Sequence, residues 1–236
     1  MKSIYNKRAR LFSSIAAMAI PLIVLSFIFI HMGIPTIWDI PGTKAITSFI
    51  PSALIIATIG YLLEELFNST SKIIFQFPLF SENETNMPTT KLLSWSSKER
   101  LSDDMIKQIA IRVRHDFGIT LMSATEEKKK SNAKEAKRRI VDAVGKIREE
   151  TRENENLMRY NIQYGFCRNY LGGSVYALLF LVVAIIINCN IAFMNNILLW
   201  MLLGIQIILV VLFFFSLKHI GNSYARALYN AYISKK

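Results

Sequence analysis

Residues 128–139 carry the densest positive charge in the chain and are its strongest candidate for binding chemistry. This stretch holds a single acid, Glu135, so i,i+4 pairing neutralises few of its cations. Clustered cations attract phosphate-bearing ligands and anionic lipid, although a charge run is also typical of a solvated helical face. The cluster consists of Lys128, Lys129, Lys130, Lys134, Lys137, Arg138 and Arg139.

Two further basic residues, Arg112 and Arg114, lie on the preceding predicted helix and would add to the same positive field. In a symmetric homo-oligomer such a surface is repeated around an axis, which makes a ring suited to a polyanion. We therefore predict that these residues bind an oligonucleotide or another nucleotide-type ligand. Anionic lipid is the alternative ligand.

A second group of candidates lies within or beside the apolar runs of the sequence. Gln206 indicates either one polar ring of a pore or an interhelical hydrogen bond, since a polar side chain at membrane depth needs a partner. Glu64 and Glu65 predict either a cation-selecting ring at a pore mouth or ion pairs with nearby cations. Gly172 and Gly173 predict either a hinge that couples a gate or close helix packing.

Motifs of catalysis are absent from the sequence. His31, His115 and His219 lie in three separate regions, and no GxSxG, HExxH, Walker or GxGxxG motif occurs. Cys167 and Cys189 show neither CxxC spacing nor a histidine partner, so the sequence predicts no zinc site and no disulfide. We expect no enzyme activity, no metal and no cofactor.

Composition indicates that a membrane protein must position these candidates. The 236-residue chain is 52% hydrophobic and 19% charged, with a mean hydropathy of +0.32. Its apolar residues fall into blocks of about the 20 residues that cross a bilayer, near 11–31, 46–67, 171–190 and 191–217. The predicted fold is an all-α membrane protein with four transmembrane helices and a helical cytosolic insert between the second and third.

This plan divides the chain into four parts and sets their orientation. The net charge is +11, and every basic cluster falls on one side if all four helices cross the membrane. The positive-inside rule then places both termini and the insert in the cytoplasm. The predicted parts are an N-terminal transmembrane hairpin (1–67), a basic helical cytosolic domain (68–170), a C-terminal transmembrane hairpin (171–217) and a cytosolic tail (218–236).

Within the insert, capping residues and helical spacing predict two main helices. Ser102 begins the first and Gly118 ends it, while Ser123 and Glu126 form a capping box for the second. The second is expected to run unbroken toward the third span, with one apolar face that packs either on the first helix or on copies of itself. Lys72–Phe77 reads as a short strand or as a continuation of the second span.

The whole plan resembles the ion channel of the Hailong system, one of the small membrane effectors of bacterial anti-phage defence. The +11 balance, the 128–139 cluster and the helix leading into Gly172 carry this resemblance. It implies a homo-oligomeric channel of the bacterial inner membrane that a nucleotide oligomer controls.

Two hypotheses of function follow. The first is a homo-oligomeric channel or pore, gated by a polyanion on the basic domain, with the bilayer and copies of itself as its partners. The alternative is a membrane scaffold that conducts nothing and recruits a cytosolic partner protein, because the four spans offer little to line a water-filled path.

Overall fold

Helix dominates a computed structural model of the protein, which describes residues 5–33, 60–80 and 84–235. No strand occurs within those ranges. Residues 1–75 and 165–216 form one compact unit, called here the span unit, and residues 76–164 and 217–236 form another, the basic unit.

Three helices are long and apolar enough to cross a membrane. They are α1 (Asn6–His31), α7 (Glu155–Ile191) and α8 (Asn196–Ser234). Between α1 and α7 the described helices are shorter. They are α2 (60–80, with a π-helical turn at Lys72–Gln76), α3 (Pro88–Leu93), α4 (Asp103–Phe117), α5 (Ala124–Glu127) and α6 (Ala133–Glu150).

The predicted second span, 46–67, lies largely outside the described residues. Residues 60–71 are helical, and the helix continues through Lys72–Phe80, so the strand considered for this stretch is not formed. The boundary between the last two apolar blocks, near residues 190 and 191, lies at a turn, because α7 runs to Ile191 and α8 begins at Asn196. Asn188 closes the turn between them by donating to Met194 O and accepting from Met194 N, each at 2.9 Å.

Helix α7 packs in the span unit through its glycines. A Cβ at Gly172 would clash with Phe67 O, and one at Gly173 would lie 2.7 Å from the Cβ of Ala17. Both glycines lie inside a continuous helix, so the break considered at this point is absent and the close-packing alternative is observed. Small residues at such contacts let helix backbones approach closely.

Polar side chains of the span unit are buried against backbone carbonyls and against one another. Asn169 donates to Ala9 O at 2.8 Å, and Ser174 donates to Tyr170 O at 2.8 Å. Thr70 and Tyr176 share a hydrogen bond of 2.7 Å. These hydrogen bonds offset part of the cost of burying polar groups, while Asn169 Oδ1 is buried with no hydrogen-bond partner among the described residues.

In the basic unit, the apolar face of α6 is buried by α4, α3 and the last turns of α8. Ile140, Val144 and Ile147 pack with Ile109 and Val113 in one core. Of the two arrangements that the sequence left open for this face, packing within one chain is therefore present. The other core residues are Leu92, Leu93, Ala143, Leu157, Ala225, Leu228, Tyr229 and Tyr232.

One long helix from 124 into the third span was expected, and the structure instead breaks it twice. Helix α5 ends at Glu127 and a turn follows, in which Asn132 Nδ2 donates to Glu126 O at 3.3 Å. A second turn follows α6, and Asn154 Oδ1 caps α7 by accepting from Leu157 N at 3.2 Å. Side chains of Asn compete with helical hydrogen bonding in this way, which the apolar spacing does not reveal.

Replacing Gly172 with Ala tests the glycine packing. The new methyl group has no room beside Phe67 O, so the free energy of unfolding should fall by about 1–3 kcal/mol. In the matched control Gly204→Ala on α8, the Cβ meets no described atom within 4 Å, and the helix should gain about 0.5–1 kcal/mol. Thermal unfolding in detergent measures both changes, and equal midpoints would contradict the packing.

Candidate functional site

The predicted basic cluster lies around the turn between α5 and α6 and along α6 itself. Ser123 and Glu126 form the capping box of α5, in which Ser123 N donates to Glu126 Oε2 at 2.8 Å. Three members of the cluster follow this box after Glu127, namely Lys128, Lys129 and Lys130. Five of the seven side chains are exposed and make no ion pair within the described part of the chain. These five, called here the basic face, are Lys128, Lys129, Lys130, Lys134 and Arg138.

The other two members of the cluster have partners. Arg139 donates from Nε to Glu135 at 3.2 Å and from Nη1 to Thr120 O at 3.3 Å. Lys137 is half-buried, with its Nζ 3.4 Å from Asn86 Oδ1. Within the predicted cluster, the structure thus distinguishes five solvent-exposed cations from Lys137, which points toward other residues of the basic unit.

Of the two arginines predicted on the neighbouring helix, Arg112 has a structural role. Its guanidinium lies 4.8 Å over the Tyr232 ring, donates to Ile233 O at 2.9 Å and pairs with Asp116 at 3.3 Å. A cation at the carboxyl end of α8 satisfies carbonyls that the helix leaves open. Arg114 is exposed and makes no ion pair within the described residues.

A cavity of 300 Å³ lies in the basic unit, and Lys137 is one of its walls. Thr90 and Ser94 are its buried residues, whereas Ser96, Lys98 and Glu99 are exposed at its rim. Among the residues that the structure describes, every residue lining the cavity is polar or charged. They are Thr85, Asn86, Thr90, Lys91, Ser94, Ser96, Ser97, Lys98, Glu99 and Lys137.

One buried carboxylate, Glu127, holds the serine turn of this cavity in place. Its oxygens accept from Ser94 Oγ, from Ser96 Oγ at 2.7 Å, and from the backbone N–H groups of Trp95 and Ser96, both at 3.0 Å. Glu127 is only 3% exposed, so these donors replace the water it gives up on folding. The walls are therefore fixed before any ligand arrives.

The same contacts set the charge of Glu127. Burial acts to raise the pKa of its carboxyl group, but hydrogen bonds from Ser94, Ser96 and the backbone outweigh burial and bring the pKa below its ordinary value of 4.5. Glu127 is thus ionised at neutral pH. The serine protons point at this charge, and the serine oxygens keep lone pairs for other donors.

The candidates placed in or beside the spans have partners inside the span unit. Gln206 is fully buried and donates from Nε2 to Ser174 Oγ at 3.1 Å, which is the interhelical hydrogen bond considered for it. Arg10 Nη1 lies 2.7 Å from Glu65 and 3.8 Å from Glu64, which is the pairing considered for these acids. Gly172 and Gly173 pack as described above.

Sequence reasoning missed the cavity because its lysines are scattered. Lys91 and Lys98 flank Ser94–Ser97, and Lys137 comes from a different helix. The spacing of Ser94, Ser96, Ser97 and Lys98 was the available signal, since short hydroxyl-rich turns offer donors to anions. The sequence does not show that Glu127 packs beneath these serines. Without that contact, residues 94–98 resemble an ordinary loop.

Replacing Glu127 with Gln tests the carboxylate beneath the cavity. A neutral amide accepts fewer of the four donors, so the free energy of unfolding at pH 7 should fall by about 1–3 kcal/mol. Because the folded-state pKa is lowered, the contribution of Glu127 is present above pH 4.5 and lost as pH falls through the lowered pKa. The variant should therefore lose less stability than the native chain in that acid range.

Denaturant unfolding between pH 3 and pH 7 measures this difference. The control is Glu135→Gln, whose exposed ion pair with Arg139 should cost less than about 1 kcal/mol. A Glu127 variant as stable as the control at pH 7 would contradict the role given to this carboxylate.

Comparison with known proteins identifies no relative of this chain. No protein-family model, no curated protein and no solved structure matches the chain.

Proposed function

We propose that the chain is a homo-oligomeric membrane ion channel or pore-forming effector, gated by a nucleotide-type polyanion on its basic unit. The observation that carries this proposal is the basic face, whose five exposed cations have no ion-pair partner among the described residues. Helices α7 and α8 contribute residues to both units, so a ligand that prefers one arrangement of the basic unit has a covalent route to the spans.

The finer parts of the proposal concern topology and setting. We propose four spans, the second over residues 46–67, in the bacterial inner membrane with both termini in the cytoplasm. The excess of Lys and Arg in the basic unit supports this orientation, because cytoplasmic segments retain such residues. A role in anti-phage defence is part of the proposal through the Hailong-like plan.

A non-conducting scaffold is the second candidate, and the surface of the spans favours it. The large exposed side chains there are apolar, while Gln206 and Ser174 face inward. A ring of such chains would have few polar groups with which to line a water-filled path. On this candidate, a cytosolic protein would bind the basic unit. Examples of the exposed side chains are Leu179, Val183, Ile186, Ile208 and Phe215.

Conductance of purified protein in planar bilayers tests the proposal. Discrete currents that change as an oligonucleotide is added on the side of the basic unit are expected. A silent bilayer from folded, inserted protein would contradict the channel. Recovery of a stoichiometric foreign protein from membranes would then support the scaffold.

Neutralising the basic face tests where the polyanion binds. Changing Lys128, Lys129, Lys130, Lys134 and Arg138 to Gln should abolish the response and lower the slope of log affinity against log salt by up to about 3.5 for a single strand. Fluorescence anisotropy of a labelled oligonucleotide gives that slope.

The control changes five other exposed cations of the basic unit to Gln, and therefore alters net charge equally. These are Lys107, Lys146, Arg152, Arg159 and Lys218. The control should keep most of the response, and equal losses in the two variants would show that only overall charge matters.

A further inference from the structure

We propose that the cavity bounded by Lys91, Lys98 and Lys137 binds a small, hydroxyl-bearing phosphate monoester, such as a sugar phosphate or a phosphorylated inositol headgroup. The cavity is distinct from the basic face, because no residue of the basic face lines it. The proposal goes beyond the channel and does not depend on conduction.

The charge of the lining matches one phosphate monoester. Three lysines and one glutamate, Glu99, line the cavity, which leaves two positive charges. A phosphate monoester carries about −1.5 to −2 at pH 7, so one such group balances the charge of the lining. The ionised Glu127 beneath the serine turn adds a further negative charge, held by its four hydrogen-bond donors, which disfavours a second phosphate. Within the described ranges, none of the three ammonium groups forms an ion pair, and Lys137 makes only its 3.4 Å contact to Asn86.

The hydroxyl groups indicate what else the ligand carries. Ser94 and Ser96 both donate their hydroxyl protons to Glu127, and their oxygens lie 2.9 Å from each other, so toward the cavity these oxygens can only accept hydrogen bonds. Ser97 Oγ instead accepts from Glu99 N at 3.2 Å and keeps its proton to donate. A ligand with several hydroxyl groups and one phosphate supplies both donors and acceptors to this lining.

Composition and size disfavour a nucleobase in the cavity. Its lining contains no aromatic or aliphatic side chain in the part of the chain that the structure describes, so a base would find no stacking partner. Stacking on aromatic side chains supplies much of the energy by which proteins hold bases. At 300 Å³ the cavity is at the small end of ligand sites, which fits one phosphorylated sugar.

The cavity is also preorganised, which lowers the entropic cost of binding. Thr90 Oγ1 donates to Glu84 O at 2.8 Å, and Arg148 Nη1 pairs with Glu84 at 3.1 Å, which secures one wall. On the other side, Ser97 N donates to Ser94 O at 3.2 Å and closes the serine turn above Glu127. Fewer side chains of these walls therefore have to order when the ligand enters.

Calorimetric titration of the purified full chain in detergent tests the site with four probes. Glucose 6-phosphate should bind more tightly than inorganic phosphate or adenosine monophosphate, and glucose should not bind. Changing Lys91, Lys98 and Lys137 to Met should weaken glucose 6-phosphate at least tenfold. The control Lys107, Lys146 and Lys218 to Met alters charge equally outside both the cavity and the basic face and should stay within twofold.

A second variant guards against loss of folding in the triple change. Lys98 is exposed at the rim, so Lys98→Met should fold normally and still weaken glucose 6-phosphate severalfold. Failure of glucose 6-phosphate to bind, tighter binding of adenosine monophosphate, or equal weakening in the control would each overturn the proposal.

Vesicles distinguish the two sources of the same chemistry. If the ligand is a lipid headgroup, vesicles with phosphatidylinositol 4-phosphate should bind the protein, lose binding in the Lys91, Lys98 and Lys137 variant, and be competed by glucose 6-phosphate. If the ligand is a free metabolite, only the soluble probe should respond to that variant. Equal binding of native and variant protein to both probes would overturn the site.

Discussion

Close approach at the glycines of α7 is the constraint on which the span unit depends. At Gly165 a Cβ would lie 2.7 Å from Tyr5 Oη, at Gly172 it would meet Phe67 O, and at Gly173 it would meet Ala17. Within a membrane no hydrophobic effect drives helices together, so such contacts and the hydrogen bonds they allow must hold the bundle. Asn169 can reach Ala9 O only because α7 packs this closely against α1.

In the basic unit, the buried carboxylate of Glu127 holds the polar surface above it in place. Glu127 gathers Ser94, Ser96 and two backbone N–H groups, and this arrangement leaves the neighbouring lysines facing a polar cavity. The unit therefore offers two kinds of positive surface, an exposed face suited to an extended polyanion and a cavity suited to a small phosphate. The proposed functions assign one ligand class to each.

The sequence patterns predicted the helices more accurately than the turns that connect them. Hydropathy marked α1, α7 and α8, and the caps at Ser102 and Ser123 were confirmed because capping is local chemistry. The long helix after Ser123 was wrong, since the turns at Asn132 and Asn154 depend on side-chain hydrogen bonds that apolar spacing does not encode. The cavity could not be predicted, because Lys137 joins Lys91 and Lys98 only through the packing of α6 and α3.

If the basic unit gates the spans as proposed, α7, which contributes residues to both units, carries the change as one uninterrupted helix through Gly172 and Gly173. Hydrogen–deuterium exchange of the full chain in nanodiscs, resolved along residues 155–191, tests this most directly. Continuous helical hydrogen bonding predicts slow exchange from about residue 160 onward, with no gap at the two glycines. Fast exchange confined to residues 171–174 would reveal a break and contradict the account.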